Sequence, residues 1–204
     1  MSDSPTEPEA DGWSGYHAAT RDRPPRPLLV RALAVGEAPV DALDLGCGAG
    51  NDTRYLLDLG CCVTAVDASP SAIAALRTLA HPRLTAIEGT FATFPVDPAG
   101  YDLITAQYAL PFNPPETFEA MFARLLAALR PGGLFTGNFF GIRDAWNVSG
   151  SGMTFHTRAQ VESLLQGLET LELREIEDTV TLASGEDHAA HAFDIIARKP
   201  LANP

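Results

Sequence analysis

The chain has 204 residues, a length that suits one folded domain with at most a small appendage. Hydrophobic residues make up 46% and charged residues 20% of it, which excludes a largely disordered or fibrous chain. Fourteen Lys and Arg against 26 Asp and Glu give a net charge of -12, and a field of that sign repels phosphate backbones and anionic lipids. We therefore expect neither a nucleic-acid partner nor a membrane partner.

The N-terminal segment and the cysteines indicate the compartment. Residues 1–12 are acidic, unlike a basic and apolar leader, and no apolar run approaches the ~18 residues that cross a bilayer. Cys47, Cys61 and Cys62 are odd in number, so we expect reduced thiols and no disulfide framework. The sequence predicts a cytoplasmic protein with a disordered tail over residues 1–12 and one domain over residues 13–204.

From residue 27 onward, short apolar runs alternate with segments of helical periodicity. An opening helix after Pro27 leads into an order of strands and helices that is typical of βαβ units around a parallel sheet. Only a turn separates the last two apolar runs, so we expect an antiparallel hairpin. The predicted strands are residues 40–45, 62–66, 84–87, 101–106, 134–140, 171–182 and 192–197. The predicted helices after the opening one are residues 52–59, 70–79, 117–129 and 157–168.

Residues 42–52 join a strand to a helix through a turn that contains Gly46, Gly48 and Gly50. Because glycine has no Cβ, such a turn can approach a ligand closely and present backbone amides at the helix start. The next strand ends in Asp67, whose carboxylate can accept both hydroxyls of a ribose beside that turn. The alternative is a structural turn with a capping Asp, but strand, turn, helix and acid in this order favour a nucleoside site.

The spacing of these glycines separates two classes of cofactor. In the dinucleotide fingerprint G-x-G-x-x-G, the last glycine falls where this chain has Asn51. That difference disfavours NAD and FAD. A ligand that carries an amino acid instead of phosphates suits polar and acidic groups such as Asp44 at the same turn.

Four motifs in order along the chain resemble those of the class I S-adenosylmethionine-dependent methyltransferases. Residues 43–50 (LDLGCGAG) resemble motif I, and residues 63–70 (VTAVDASP) resemble the second strand with its ribose-binding acid. Residues 101–107 (YDLITAQ) resemble the fourth strand, and residues 129–134 (LRPGGL) resemble the turn into the fifth. The resemblance covers about residues 13–199. It implies an α/β fold with a Rossmann-like, doubly wound, mostly parallel seven-stranded sheet and an antiparallel C-terminal hairpin strand.

The resemblance also implies which residues bind the cofactor, S-adenosyl-L-methionine. Motif I would lie against its methionine and ribose parts, and Asp67 would hold the ribose hydroxyls. The loops after the third and fourth strands would contact the adenine and face the reacting end. One of Arg21, Arg23 and Arg26 would pair with the cofactor's carboxylate. The implied cofactor-binding residues are Tyr16, Arg23, Asp44, Gly46, Cys47, Gly48, Gly50, Asp67, Ala68, Gly89, Thr90, Phe91, Gln107 and Tyr108.

The activity that follows is methyl transfer to a small-molecule acceptor by in-line displacement, in which alignment of the nucleophile does most of the work. The sequence therefore points to no obligatory catalytic residue. Candidates for a general base are His17, Tyr108 and His156. The acceptor is expected to be apolar or planar, because aromatic residues flank the reacting end. These residues are Phe112, Phe139, Phe140 and Trp146.

Two other functions stay open at the level of sequence. An NAD-dependent oxidoreductase would share the ribose-binding acid, although the glycine spacing disfavours it. A catalytically degenerate protein would keep the S-adenosylmethionine site without transfer activity, because few diagnostic residues carry the chemistry. Within the family, residues 155–157 and 193–199 loosely resemble the small tellurite-resistance and thiopurine-type methyltransferases. We expect a monomer or a homodimer.

Three further motifs have simpler interpretations. Asn113 precedes two prolines, so we expect it to cap a helix rather than to mark a nitrogen-methylating enzyme. His188 and His191 lie near a turn, so we expect a solvated hairpin and no metal site. Cys47 lies between two glycines, where we expect it to pack against the cofactor instead of acting as a nucleophile.

Overall fold

The computed structural model describes residues 13–96, 98–182 and 184–201 of the chain. The predicted tail over residues 1–12 lies outside the described residues. The helices are α1 (Ser14–Thr20), α2 (Pro27–Val35), α3 (Asn51–Asp58), α4 (Pro70–Arg77), α5 (Pro115–Ala128) and α6 (Arg158–Leu164). A short 3-10 turn covers Leu110–Phe112. Across the described ranges, no helix combines the length and the apolar character that a membrane span needs.

All the strands belong to one sheet. They are β1 (Asp41–Leu45), β2 (Cys62–Asp67), β3 (Leu84–Glu88), β4 (Tyr101–Ala106), β5 (Leu129–Gly141), β6 (Phe155–His156), β7 (Glu169–Thr181) and β8 (Asp187–Arg198). Their order is β3-β2-β1-β4-β5-β8-β7, and β6 pairs with the end of β5. The pairs from β3 to β5 are parallel, whereas β8 is antiparallel to both β5 and β7.

This topology confirms the predicted α/β, Rossmann-like fold with an antiparallel C-terminal hairpin. The strand order runs outward from β1 to β3 and then resumes at β4, so the switch point lies between β1 and β4. The two-residue strand β6 is an addition to the seven predicted strands. The short helix α1, which comes before the predicted opening helix, is a second addition.

Two helix starts follow from the cap residues that the sequence supplies. The Ser69 hydroxyl accepts a hydrogen bond from the Ala72 amide at 3.3 Å, and a proline opens α4 directly after it. At α6, Thr157 and Gln160 form a capping box, in which each side chain bonds the other residue's backbone amide. The amides that lack a partner within the helix are thereby satisfied.

Strand β5 begins at Leu129 rather than at residue 134, because α5 ends sooner than predicted. Leu129 already pairs with Tyr101 of β4, and the Pro-Gly-Gly segment that follows makes the ladder irregular instead of ending a helix. The Arg130 guanidinium joins this irregular segment to two neighbouring strands. It contacts Asp41 at 2.8 Å and Asp102 at 2.9 Å.

The two faces of the sheet are covered by different helices. Under α5 and α6 lies a large apolar cluster, which includes Leu43, Ile104, Phe135, Phe139 and Phe193. Under α2 and α3 lies a smaller apolar cluster, which includes Leu29, Ala42, Leu103, Leu134 and Ile196. Toward the carboxyl ends of the strands, this second face becomes polar although it stays buried. Its buried polar residues, called here the polar layer, are Asp44, Thr105, Thr136, Asn138 and Asp194.

The expectation of a solvated hairpin at His188 and His191 is wrong. Both side chains are buried, with 6% and 1% of their surface exposed. The loop after β5 folds back onto the hairpin and supplies Asp144 as a partner for both residues. The Asp144 carboxylate lies 2.9 Å from His188 Nε2 and accepts a hydrogen bond from the His191 amide at 3.0 Å.

The expectation that Asn113 caps α5 is also wrong. The residue at the N-cap position is Pro114, and no side chain accepts a capping hydrogen bond there. The Asn113 side chain instead donates to Thr117 Oγ1 at 2.9 Å and to the Pro114 carbonyl at 3.1 Å. The two prolines alone define where the helix begins, because their fixed φ suits a first turn.

Candidate functional site

The glycine turn between β1 and α3 lies at the carboxyl edge of the sheet, beside the switch point. Gly46, Gly48 and Gly50 have φ values of 67°, 49° and 77°, a region that side-chain-bearing residues rarely adopt. A Cβ on Gly46 would collide with the Cβ of Ala109, and a Cβ on Gly50 would lie 2.5 Å from Leu76 Cδ2. Only glycine permits this turn to lie so close to its neighbours.

Asp67 lies directly beside the turn, at the end of β2. Its carboxylate accepts hydrogen bonds from the Gly48 amide and from the Ser69 amide, both at 2.8 Å. The Gly46 and Cys47 amides donate to the Val66 carbonyl at 2.8 and 3.1 Å, which ties the turn to β2. A carboxylate has about four acceptor positions, so Asp67 keeps capacity for two hydroxyl donors.

The loops after β3 and β4 reach the same turn. Phe91 Cζ is 3.4 Å from the position that a Cβ on Gly46 would occupy, and Ala109 flanks the same position. The Gly89 amide donates to the Asp67 carbonyl at 3.0 Å, so the loop after β3 starts beside the acid. Ala68 is exposed next to it, and Thr90 is exposed in the following loop. The predicted adenine-contacting residues therefore lie along one rim.

Helix α1 and the segment after it cover the turn from above. The His17 ring is 3.3 Å from the position of a Cβ on Gly48, and burial lowers the pKa of this imidazole although Asp67 opposes the shift. The Tyr16 hydroxyl accepts a hydrogen bond from Arg26 Nη2 at 3.0 Å. Of the three candidate arginines, Arg26 is the one that is half-buried here, whereas Arg23 lies exposed.

Arg26 joins α1 to the reacting edge of the sheet. Its guanidinium carbon lies 5.1 Å from the centroid of the Tyr108 ring, a cation–π arrangement. Its backbone amide donates to the Asp52 carboxylate at 2.7 Å. Among the described residues, no carboxylate lies within 4.0 Å of the Arg26 guanidinium, so this half-buried cation is available for an anionic group.

Asp44, at the end of β1, is almost fully buried beneath the turn. Its carboxylate accepts a hydrogen bond from Thr53 Oγ1 at 2.5 Å. Burial first, and then the neighbouring Asp52, raise the pKa of Asp44 to about 8. Burial also raises the pKa of Asp52. A cation bound above the turn would favour the ionised form of both groups, because opposite charges lower a carboxyl pKa.

Cys47 lies 8% exposed within the turn. Burial, followed by the charges of Asp44 and Asp67, raises the pKa of its thiol well above the usual value. The thiolate is the nucleophilic form of cysteine, so this environment disfavours covalent chemistry at Cys47. Cys47 is therefore suited to packing within the turn and not to acting as a nucleophile.

Gln107 and Tyr108 follow β4 at the same edge. Gln107 is 9% exposed and donates from Nε2 to Thr105 Oγ1 at 3.1 Å, while its buried Oε1 has no hydrogen-bond partner among the described residues. An unpartnered buried acceptor can take a hydrogen bond from a bound ligand or an ordered water. Tyr108 is exposed, and partial burial together with Asp194 raises the pKa of its phenol.

An aromatic wall rises beyond Tyr108. Phe112 lies 4.9 Å from Trp13 and 6.2 Å from Phe140, measured between ring centroids, and Phe140 lies 5.6 Å from Trp146. Three of the four predicted acceptor-lining residues are therefore together. Phe139 is not among them, because alternate residues of β5 point to opposite faces and Phe139 packs under α5.

The position of His156 does not suit the role of general base that the sequence offered for it. It packs between Phe118 and Phe139, with ring centroids 4.6 and 5.1 Å away, on the face opposite the glycine turn. Burial lowers the pKa of His156 to about 4. The structure thus makes His156 a neutral member of the apolar cluster.

One trio has the composition of a metal site. Single ligand atoms of Glu175, Glu177 and His191 lie within 4.8 Å of one another. The Arg143 guanidinium contacts all three side chains, with Nη2 at 2.8 Å from Glu175 and 3.2 Å from His191. Because the Arg143 guanidinium already contacts these three side chains, the trio forms an ion-pair cluster with the loop after β5.

Sequence reasoning missed three residues around this edge. Asp52 supports Arg26, Asn138 binds the Tyr108 amide, and Asp194 binds Asn138. The available signal was polarity: Asn138 and Asp194 are polar residues within mainly apolar strand segments. A polar residue inside a buried strand requires a partner, and here the partner lies at the site.

A glycine turn, a strand-end acid and a neighbouring rim that includes Phe91, all at a switch point, are typical of nucleoside-cofactor-binding proteins of the Rossmann-like class. Residues 42–133 match the family described as a methyltransferase domain. This match confirms the resemblance to the class I S-adenosylmethionine-dependent methyltransferases over residues 42–133.

Similar proteins agree with this assignment. A methyltransferase of Synechocystis sp. is 31% identical over 109 residues, which are 53% of this chain and 50% of the relative. The chain spans half or less of the length of the curated relatives it matches.

Two solved structures share the fold. The 1,6-didemethyltoxoflavin-N1-methyltransferase of Burkholderia thailandensis, with bound 1,6-didemethyltoxoflavin and S-adenosylhomocysteine, has a TM-score of 0.66 at 22% identity and covers 94% of this chain and 87% of its own. TehB of Haemophilus influenzae has a TM-score of 0.70 at 20% identity over 84% of this chain and 61% of its own. At these identities the similarity concerns the fold alone.

Proposed function

We propose that this protein is an S-adenosylmethionine-dependent methyltransferase, with residues 13–204 as its domain, that transfers a methyl group to a small-molecule acceptor by in-line displacement. The observation that carries the proposal is the position of Asp67 against the Gly48 amide at the switch point. The methyltransferase-domain match over residues 42–133 supports it. The Burkholderia N1-methyltransferase, whose structure holds 1,6-didemethyltoxoflavin, supports the acceptor class.

The residues at the edge of the sheet fit this cofactor. The glycine turn offers backbone without side chains, and Asp67 has acceptor positions left for the ribose hydroxyls. Arg26 presents an unpaired guanidinium to the carboxylate of the methionine part, held in place by Tyr16. The open Oε1 of Gln107 suits a donor such as the cofactor's ammonium group. Gly89, Thr90 and Phe91 would border the adenine.

Charge favours the same ligand. When bound, S-adenosylmethionine supplies an electrophilic methyl group on a cationic sulfonium. The buried carboxyl groups of Asp44 and Asp52 lie under the turn, and a cation above them lowers the energy of ionising them. Because the fold already holds these carboxyl groups in place, they can stabilise the cationic cofactor without rearranging during the reaction.

The chain's own residues then act by alignment. The aromatic wall of Phe112, Phe140 and Trp146 excludes water and offers ring faces to a planar acceptor. Tyr108 stays a neutral phenol at neutral pH, because its pKa is raised, so it can donate a hydrogen bond. Among the candidate bases, His17 is a neutral imidazole beside the turn, and its buried Nδ1 has no partner in the described part of the chain.

Calorimetry of the full chain tests the cofactor. We expect binding of S-adenosylmethionine and S-adenosylhomocysteine and no binding of NAD. Binding of NAD alone would make the protein an oxidoreductase candidate. Binding of the first two without turnover of thiols, chalcogen oxyanions or planar phenols would favour a degenerate cofactor-binding protein.

The variant Asp67→Ala tests the site. Loss of a charge-assisted, two-pronged contact weakens S-adenosylhomocysteine binding by roughly 10- to 100-fold, or ~1.5 to 3 kcal/mol. The matched control is Asp58→Ala, which removes an exposed carboxylate at the end of α3 and leaves the affinity unchanged. Equal affinity in both variants would place the cofactor elsewhere.

A further inference from the structure

Tyr108 adopts a backbone conformation that its side chain does not favour. Its φ is 53°, in the left-handed region that residues with a Cβ rarely occupy. Such a conformation persists only where the surroundings determine it, and it concentrates at functional sites. The Tyr108 amide donates a hydrogen bond to Asn138 Oδ1 at 3.1 Å, so the conformation has an identifiable support.

Asn138 is itself fixed by a charged partner. It is fully buried on β5, and its Nδ2 donates to Asp194 Oδ1 at 2.6 Å. Because a carboxylate only accepts hydrogen bonds, the amide nitrogen of Asn138 must face Asp194 and its oxygen must face Tyr108. The direction of the amide is therefore set by the contact with Asp194.

Asp194 is held in turn by two arginines. Its Oδ2 accepts hydrogen bonds from Arg31 at 2.9 Å and from Arg174 at 2.8 Å, although only 4% of the residue is exposed. Arg31 also pairs with Glu172 at 2.7 Å. Three donors, two of them guanidinium groups, hold this buried carboxylate in place.

The anchored backbone decides where the Tyr108 ring stands. The ring lies under the Arg26 guanidinium and 6.4 Å from the centroid of Phe140. The Tyr108 ring therefore lies between Arg26, which is proposed to hold the cofactor's carboxylate, and the aromatic wall, which is proposed to hold the acceptor. With an ordinary negative φ, the chain after β4 would point the ring in another direction.

We propose that Asn138 and Asp194 are positioning residues, which hold Tyr108 in the left-handed conformation and thereby place its ring between the cofactor and the acceptor. We call this chain of hydrogen bonds, from Asp194 through Asn138 to the Tyr108 amide, the relay, and its role in catalysis rests on the proposed function. Both act through the hydrogen bond from the Tyr108 amide to Asn138.

The first experiment needs no variant of the relay. The full chain, which contains four tyrosines, is labelled with 15N-tyrosine, and the signal of Tyr108 is identified by its absence from Tyr108→Phe. We expect the Tyr108 amide to exchange with solvent at least 100-fold more slowly than an unstructured peptide. Exchange at the unstructured rate would overturn the relay.

The second experiment breaks the relay. In Asn138→Ala, labelled with ring 13C-tyrosine, we expect the Tyr108 ring signal to move toward the value of a solvated tyrosine and to lose its response to S-adenosylhomocysteine. The control is Ile196→Ala, a buried residue of the same strand as Asp194, chosen to lower the unfolding midpoint without moving the Tyr108 signal.

The outcomes separate the two hypotheses. An unchanged Tyr108 signal in ligand-free Asn138→Ala would overturn the relay, whatever the ligand does. If the wild type does not bind S-adenosylhomocysteine, the proposed function fails, while the ligand-free spectra still decide whether Asn138 positions Tyr108. A Tyr108 signal that moves equally in Ile196→Ala would reduce the effect to general loosening and would also overturn the relay.

Discussion

The two faces of the central sheet differ in what they bury. Under α5, Phe122 packs 5.2 Å from both Phe135 and Phe139 between ring centroids, within the larger apolar cluster. Under α2, the smaller apolar cluster gives way to the polar layer, including Asp44 and Asp194. Both faces bury apolar side chains, and only the second also holds this layer of buried polar groups.

This division explains why the site lies where it does. Buried polar groups lower stability unless each has a partner, so they accumulate only where a ligand or a fixed geometry requires them. Asp44 lies under the glycine turn and Asn138 lies under Tyr108. On the apolar face, burial between aromatic rings keeps the imidazole of His156 neutral.

The largest expected effect is on the apolar face. Phe122→Ala removes a fully buried ring and should lower the free energy of unfolding by about 3 to 5 kcal/mol, because the neighbouring rings cannot fill the cavity. Urea unfolding followed by circular dichroism measures the change. Leu59→Ala, at an exposed position, is the control and should change it by less than about 1 kcal/mol. A similar loss in both variants would contradict the assignment of the core.

A smaller effect is expected at the histidine of the apolar face. The pKa of His156 is about 4 in the folded chain and near 6.5 when unfolded, so the unfolded state binds the extra proton first as pH falls. Stability is therefore complete above about pH 6.5 and declines by about 2 to 3 kcal/mol toward pH 4 through this residue.

His156→Leu should remove that part of the acid sensitivity. The measurement is the free energy of unfolding of wild type and variant at pH 7, 5.5 and 4. His81→Leu replaces a partly exposed histidine and serves as the control, with the wild-type pH dependence. Parallel pH profiles for wild type and His156→Leu would show that His156 is not buried as described.

The polar face should respond to pH with the opposite sign. The pKa of Asp44 is about 8 when folded and near 3.8 when unfolded, so its contribution is present at acidic pH and is lost as pH rises toward 8. Asp44→Asn removes this loss, so the stability of the variant relative to the wild type should rise by about 3 to 4 kcal/mol between pH 5 and pH 8.

Urea unfolding at the two pH values measures that gain. Asp41→Asn, at the partly exposed start of the same strand, is the control and should show no such pH-dependent gain. If Asp44→Asn is destabilising at pH 8, the carboxylate is ionised in the folded chain and the polar layer is better solvated than its burial indicates.

Local patterns were enough to predict most elements of the fold. Ser69 before Pro70, and Thr157 three residues before Gln160, place two helix starts because capping chemistry is contained within four residues. The alternation of apolar runs and helical periods predicted the parallel sheet and the final hairpin. The prediction was wrong at His188 and His191, because the residue that buries them, Asp144, comes from a distant loop.

The candidate site divides in the same way. The glycine turn and Asp67 could be identified from sequence because strand, turn and acid follow a fixed local order. Arg26 could not be chosen over Arg23 from sequence, since the choice depends on contacts with Tyr16 and Tyr108. Phe139 was assigned to the acceptor wall, and only the register of β5 against α5 places it in the core.

The sequence by itself determined the class of fold and the location of the candidate cofactor site, because both are written in short, ordered motifs. Only the tertiary structure decided which polar residues act together, since Tyr108, Asn138 and Asp194 come from three strands or strand ends that lie far apart in sequence. The physical reason is that a hydrogen bond depends on distances of about 3 Å in space. Such distances between remote segments are fixed by the packing of the whole sheet.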